Sequence, residues 1–168
     1  MSTNTQRLAM AGLLVAVGVA MSAFSIPIGI ARVFPVQHMI NVMAAVLFGP
    51  FYAVIMAFCT SLIRNMAGTG TLLAFPGSML GALVAGLVYK RFKNRLAACG
   101  GELFGTGVLG ALAAFPIAAL ILGREAALFG FVVPFSLSSV VGAVMAYAFL
   151  GALLHTGALR RFGFDAKR

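Results

Sequence analysis

The sequence predicts an all-α integral membrane protein with six transmembrane helices. Its residues are 62% hydrophobic and only 9% charged, and its mean hydropathy is +1.07. Long apolar runs in so weakly charged a chain are typical of membrane spans rather than of a soluble core. The runs lack the period-two alternation of a β-barrel, so helices must satisfy the backbone amides in hydrocarbon. We expect residues 1–168 to form a single membrane domain.

Proline, glycine and polar residues divide the apolar sequence into six predicted helices. The first ends before Pro27, the second ends at Gly49, and the sixth begins at Pro134, since proline is tolerated in the first turn of a helix. The predicted helices cover approximately residues 8–26, 36–48, 51–63, 77–89, 103–122 and 134–155. The second and third are shorter than the roughly 20 residues that span a bilayer. We therefore expect both to be buried against neighbouring helices or to end below the membrane surface.

Positive charges fall mainly on one side of this predicted bundle. If the N-terminus is cytoplasmic, nine Lys or Arg residues lie inside and three, Arg32, Arg64 and Arg124, lie outside. Cytoplasmic loops of membrane proteins carry such an excess, so both termini are predicted to be cytoplasmic. Anionic lipid headgroups then account for the net charge of +9, and no nucleic-acid partner is expected.

The sequence shows no set of residues for catalysis. Only Glu102, Glu125 and Asp165 are acidic, and the predicted helices place Glu102 and Asp165 at the cytoplasmic side and Glu125 outside. No paired carboxylates can therefore meet, and His38 and His155 are likewise expected at opposite membrane faces. We predict that the chain is not an enzyme, has no catalytic residues and holds no metal or cofactor.

Polar residues concentrate in three segments on the predicted outer side: Ile30–Asn41, Ser61–Met79 and Gly123–Ser139. Polar groups that face the interior of a membrane bundle must be satisfied by one another or by a bound molecule. Serine and threonine can instead bond a carbonyl one turn back, and Arg64 can extend to the outer headgroups. The candidate substrate-binding residues are Gln37, His38, Asn41, Arg64, Asn65, Thr69, Thr71, Phe75, Ser136 and Ser139.

Small residues form a stripe on the first predicted helix. Gly12, Ala16 and Ala20 recur every four residues in AGLLVAVGVAMSA, which gives a smooth surface for another helix. A second glycine pattern, GTGVLG at Gly105–Gly110, matches the dinucleotide fingerprint in its letters. It lies in a predicted membrane helix without the preceding strand that the fingerprint requires. These glycines are therefore expected to allow close helix contact.

This combination resembles the substrate-binding S component of an energy-coupling factor (ECF) vitamin transporter. The string PVQHMINVMAAVLFGPFYAVIMAF, followed by SLIRNMAGTGTLLAFPGSMLGALVAGLVYK, is similar to the ThiW subfamily. The resemblance spans residues 8–147, and residues 35–90 are its specific part. It implies a multi-pass subunit in the plasma membrane of a prokaryote that captures hydroxyethylthiazole, the thiazole precursor of thiamine, from outside. The implied partners are a transmembrane coupling protein, which would contact the stripe on the first helix, and two ATPase subunits.

The resemblance also suggests how the candidate site would hold a small neutral heterocycle. Hydrogen bonds to a ring nitrogen and a hydroxyl would come from His38, Asn41, Arg64 and Asn65. Phe34, Phe75 and Phe135 would pack against the ring. The absence of tryptophan favours a small, weakly charged ligand. Two alternatives remain: an S component for hydroxymethyl pyrimidine, thiamine or riboflavin, and a membrane scaffold protein without transport activity.

Overall fold

The computed structural model of the chain describes residues 3–28, 31–123 and 129–157. These residues form six helices and two short strands. The helices are α1 (Thr3–Ala20, continued by a 3-10 turn at Met21–Ala23), α2 (Pro35–Phe48), α3 (Pro50–Met66), α4 (Ala74–Phe92), α5 (Arg95–Ile121) and α6 (Val132–His155). Strands β1 (Ile26–Ile28) and β2 (Ala31–Val33) pair antiparallel between α1 and α2, with Ile26 opposite Val33. The predicted all-helical fold class is confirmed, since these six residues are the only strand residues in the described ranges.

Three of the described helices are long and apolar enough to cross a membrane: Asn4–Ala23, Arg95–Ile121 and Val132–His155. Their outer faces carry large apolar side chains; Leu8 is 68% exposed and Leu120 is 84% exposed. Apolar surface of this extent is unfavourable in water but suits contact with lipid tails. The structure is that of an α-helical membrane protein. The number of spans and the cytoplasmic position of the termini stay predictions.

Helix α5 begins at Arg95, so the predicted start at residue 103 is wrong. Asn94 caps this helix, because its Oδ1 accepts hydrogen bonds from two backbone amides of the first turn at 2.8 and 3.3 Å. Gly100, Gly101 and Glu102 interrupt the apolar pattern in the second turn of α5. A helix start predicted from hydropathy therefore falls after them, at residue 103. As a consequence, Glu102 lies inside the bundle rather than at its surface.

Glycines bring α4 and α5 into close contact. A Cβ atom on Gly105 would lie 2.6 Å from the carbonyl oxygen of Leu80, and one on Gly110 would lie 2.6 Å from the Cα of Gly77. A larger residue at either position would force the two helices apart. The segment Gly105–Gly110 is a π-helical stretch of α5, and its glycines serve helix packing, as predicted.

The bundle has two different ends. The N-terminal ends of α2, α4 and α6 meet the C-terminal end of α3 at one end. The C-terminal end of α4 lies at the opposite end, with Lys90 and Arg91 in its last turn and Lys93 in the turn to α5. Seven charged residues of the predicted loops and tail lie outside the described residues: Arg124, Glu125, Arg160, Arg161, Asp165, Lys167 and Arg168.

Candidate ligand-binding site

A cavity of about 380 Å³ lies at the end of the bundle where α2, α3, α4 and α6 meet. The loop between α3 and α4 contributes Gly68, Thr69, Gly70, Thr71 and Leu73 to its wall. The helices and their flanking residues contribute Phe34, Gln37, His38, Arg64, Ala74, Gly77, Ser78, Phe131, Pro134, Phe135 and Ser138. An apolar wall with a few converging polar groups is typical of a small-molecule site.

Arg64 is a buried cation on the wall of this cavity, with only 1% of its surface exposed. Its Nη1 donates to Oε1 of Gln37, and its Nη2 donates to the carbonyl of Thr69 at 3.3 Å. The guanidinium also lies 4.0 Å from the ring centroid of Phe34. Within the described residues it has no carboxylate partner, and its Nε has no hydrogen-bond partner. This position contradicts the alternative in which Arg64 extends to the lipid headgroups.

Gln37 connects Arg64 to a chain of hydroxyl groups beside the cavity. Its Nε2 donates to Oγ of Ser61 at 2.9 Å, and that oxygen lies 3.0 Å from Oγ of Ser78. The Ser78 hydroxyl in turn donates to the carbonyl of Ala74 at 2.7 Å. Because an amide oxygen accepts and an amide nitrogen donates, these contacts fix the orientation of the Gln37 side chain.

His38 on the cavity wall forms a buried pair with Glu102, which lies behind it. Nδ1 of His38 lies 2.8 Å from Oε1 of Glu102, and Glu102 is completely buried. Asn41 donates to the same Oε1 at 3.2 Å, and the hydroxyl of Thr106 lies 3.0 Å from it. The prediction that Glu102 lies at the cytoplasmic side, away from the outer polar segment that contains His38, is therefore wrong. Gly81 leaves the room for this pair, since a Cβ atom there would lie 2.7 Å from both carboxylate oxygens.

The loop between α3 and α4 is tied to the bundle by Asn65. Its Nδ2 donates to the carbonyl of Ser61 at 2.8 Å and to the carbonyl of Thr71 at 3.0 Å. The hydroxyl of Thr69 lies 2.9 Å from the hydroxyl of Ser22 at the end of α1. These contacts hold the loop over the cavity.

The structure brings together five of the ten predicted substrate-binding residues. Gln37, His38, Arg64, Thr69 and Thr71 line the cavity. They come from α2, from the C-terminal end of α3 and from the loop that follows it.

The other five predicted residues lie off the cavity wall. Asn41 is bound below it to Glu102, and Asn65 holds the loop, as described above. Phe75 packs against Phe58, with 5.7 Å between the ring centroids. Ser136 faces α5, because a Cβ atom on Gly107 would lie 2.5 Å from its Oγ. Ser139 is completely buried, and its hydroxyl has no partner among the described residues.

Sequence analysis missed two serines that do line the cavity, Ser78 and Ser138. Oγ of Ser138 accepts a hydrogen bond from the backbone amide of Phe34 at 3.2 Å, which joins α6 to the start of α2. Pro134 and Ser138 are four residues apart and share the inward face of α6, whereas Ser136 and Ser139 belong to neighbouring faces. Both Phe34 and Phe135 lie on the wall, as expected for ring-packing residues.

The small-residue stripe of α1 is exposed. Gly12, Ala16 and Ala20 all lie on the outer side of the bundle, and a Cβ atom on Gly12 would meet nothing within 4 Å. The inner side of α1 packs closely instead, since a Cβ atom on Gly18 would lie 2.9 Å from the side chain of Ile40. The stripe is therefore accessible to lipid or to another helix.

The comparison with known protein families agrees with this architecture. A family model described as thiamine-precursor transporter protein (ThiW) matches residues 8–156. No curated protein and no solved structure matches the chain. The family match begins within α1 and extends one residue beyond the end of α6, so it includes every element that forms the cavity. The chain thus belongs to the ThiW family of thiamine-precursor transporter proteins.

Proposed function

We propose that the chain is the substrate-binding S component of an ECF-type importer and captures hydroxyethylthiazole at the outer face of a prokaryotic plasma membrane. The observation that carries this proposal is the cavity, in which Arg64, Gln37 and His38 are buried at one end of an apolar bundle. Buried polar groups in a membrane bundle are costly unless something satisfies them. A ligand with hydrogen-bonding groups would do so.

The size and lining of the cavity suit a ligand with one aromatic ring. A volume of about 380 Å³ is near the lower end of the range of roughly 300–1,000 Å³ for small-molecule sites. Phe34 and Phe135 offer ring faces on the wall, against which a thiazole ring would pack. Thiamine and riboflavin contain two and three fused or linked rings respectively and would need more space.

Arg64 supplies hydrogen-bond donors for such a ligand. A guanidinium carries five N–H groups, and the described contacts with Gln37 and Thr69 engage two of them. The ring nitrogen of a thiazole can only accept a hydrogen bond. An unused N–H of Arg64 would therefore bind this nitrogen without any change in protonation.

Two surface features support the proposed orientation and partners. Lys90, Arg91 and Lys93 lie at the end opposite the cavity, which by the positive-inside rule favours a cavity that opens outward. The exposed stripe Gly12, Ala16 and Ala20 offers a smooth surface for a helix of the transmembrane coupling protein. Two ATPase subunits would drive release of the ligand through that protein.

Calorimetry on the detergent-purified protein tests the proposal, with hydroxyethylthiazole, hydroxymethyl pyrimidine and thiamine measured side by side. We expect binding of the thiazole alone, its loss in Arg64→Ala, and its retention in Arg91→Ala. Arg91 is a suitable control because it is exposed at the opposite end of the bundle. A folded protein that binds none of the three compounds would contradict the proposal. Binding of the pyrimidine or thiamine alone would keep the transporter role and refute the assigned ligand.

A further inference from the structure

The contact between His38 and Glu102 defines which hydrogen-bonding groups the cavity offers. Glu102 is completely buried and does not line the cavity, so it can act on a ligand only through His38. His38 does line the cavity, and its Nδ1 faces Oε1 of Glu102 at 2.8 Å. The ring therefore stands between the carboxylate and the ligand space.

A second residue, Asn41, donates to the same carboxylate oxygen as His38. Nδ2 of Asn41 donates to Oε1 of Glu102 at 3.2 Å and to the carbonyl of Ser78 at 3.0 Å. A carbonyl can only accept, so the Asn41 amide is oriented with its nitrogen toward both oxygens. As a carboxylate, Glu102 can only accept, so Nδ1 of His38, which faces its Oε1, carries a hydrogen. A carboxylate that holds a histidine in one tautomer in this way also fixes the direction of the ring.

The other ring nitrogen, Nε2, is consequently a free acceptor in neutral His38. It has no hydrogen-bond partner within the described parts of the chain. The cavity thus has two walls of opposite hydrogen-bonding character, since Arg64 has only donors and His38 offers a lone pair. A ligand that satisfies both walls needs one acceptor and one donor.

We propose that Glu102 is a positioning residue that holds Nε2 of His38 as the acceptor for the hydroxyl of the ligand, while Arg64 donates to the ring nitrogen. This inference rests on the proposed function and specifies which atoms of the ligand are recognised. The hydroxyl hydrogen becomes a determinant of specificity, because a ligand without it leaves the buried lone pair of His38 unpaired.

Two analogues of hydroxyethylthiazole test the role of the hydroxyl hydrogen. The methyl ether keeps the oxygen but lacks the donor, and 5-ethyl-4-methylthiazole lacks the oxygen and is smaller. We expect the wild-type protein to bind both about 5- to 150-fold more weakly than the alcohol, as for an unpaired buried polar group. Equal affinity for the alcohol and the ether would overturn the inference. Weak binding of the ether together with full affinity for 5-ethyl-4-methylthiazole would also overturn it. The size of the added methyl group, and not the missing hydroxyl hydrogen, would then explain the weak binding of the ether.

A substitution of Glu102 separates a positioning role of this residue from a merely structural one. In Glu102→Leu, the ratio of ether to alcohol dissociation constants should fall toward one, because nothing fixes the proton on Nδ1. A structural role predicts instead that both affinities fall by the same factor and the ratio stays unchanged, and that result would refute the proposal.

A matched pair at His38 decides the question even if Glu102→Leu does not fold. The amide of His38→Gln reaches the position of Nε2 and can offer an oxygen there, so it should keep a preference for the alcohol. The shorter amide of His38→Asn reaches only the position of Nδ1 and should lose that preference. If both variants lose the preference for the alcohol over the ether, or if both keep it, Nε2 of His38 is not the acceptor of the ligand hydroxyl. Absence of binding of all three thiazoles to the wild-type protein would instead refute the proposed function itself.

Discussion

Replacement of Arg64 by methionine is expected to weaken ligand binding strongly while leaving the empty protein about as stable as the wild type. Arg64 is 1% exposed, yet its partners in the described structure, Gln37, Thr69 and Phe34, are all uncharged. Its removal therefore leaves no unpaired charge in the bundle. Methionine is unbranched and flexible, so it can occupy much of the vacated volume.

The expected change in stability follows from terms of opposite sign. Two hydrogen bonds from a charged group contribute about 1.5–3 kcal/mol each, and the contact with the Phe34 ring contributes about 2 kcal/mol. Removal of the guanidinium also removes a desolvation cost of several kcal/mol, and replacement of buried ions by apolar side chains is often neutral or stabilising. We therefore expect a net change within about 2 kcal/mol. The ligand loses one charge-assisted hydrogen bond, which corresponds to a roughly 10- to 150-fold weaker affinity.

Thermal unfolding of the ligand-free protein in detergent, together with calorimetric titration of hydroxyethylthiazole, measures the two effects separately. Arg91→Met serves as the matched control, and both quantities should stay at their wild-type values. A large loss of stability in Arg64→Met combined with unchanged affinity of the folded fraction would refute the reasoning, since Arg64 would then be a structural residue.

Three further substitutions have distinct expected outcomes. Asn65→Ala removes the side-chain hydrogen bond to the carbonyl of Thr71, which ties the loop to α3. It should weaken thiazole binding about 2- to 12-fold by calorimetry, because one neutral hydrogen bond contributes about 0.5–1.5 kcal/mol. Unchanged affinity would show that the loop needs no such support. Gly81→Ala places a Cβ atom against Oγ1 of Thr106 and should destabilise the protein by about 1–3 kcal/mol in thermal unfolding. Gly100→Ala should not, because a Cβ atom at Gly100 would meet nothing within 4 Å. Ala16→Leu on the exposed stripe should abolish uptake in cells that contain the coupling module and leave binding by the purified protein intact; loss of both would show that the stripe packs internally.

Hydropathy located most of the helices but missed the start of α5. Long apolar runs identify membrane helices well because lipid tails demand them along the whole span. The first turns of α5 contain Glu102 and two adjacent glycines, which a hydropathy reading assigns to a loop. Asn94 followed by a run of helix-forming residues was the available signal, since asparagine is a preferred N-cap.

The site was predictable in its location but not in its detailed contacts. The polar cluster on α2 and the end of α3 identified Gln37, His38 and Arg64, because such residues are unusual in membrane helices. The face of α6 that points inward could not be predicted, since a helix in lipid is apolar on every side and periodicity does not reveal its rotation. The contact between His38 and Glu102 joins residues 64 positions apart and depends on the packing of α2 against α5.

The most direct test of the account is a crystal structure of the protein with hydroxyethylthiazole bound. The account predicts difference density for one thiazole molecule in the cavity, with the ring nitrogen within hydrogen-bond distance of Arg64 and the hydroxyl within hydrogen-bond distance of Nε2 of His38. Density for the thiazole at another position, with the cavity unchanged, would contradict it.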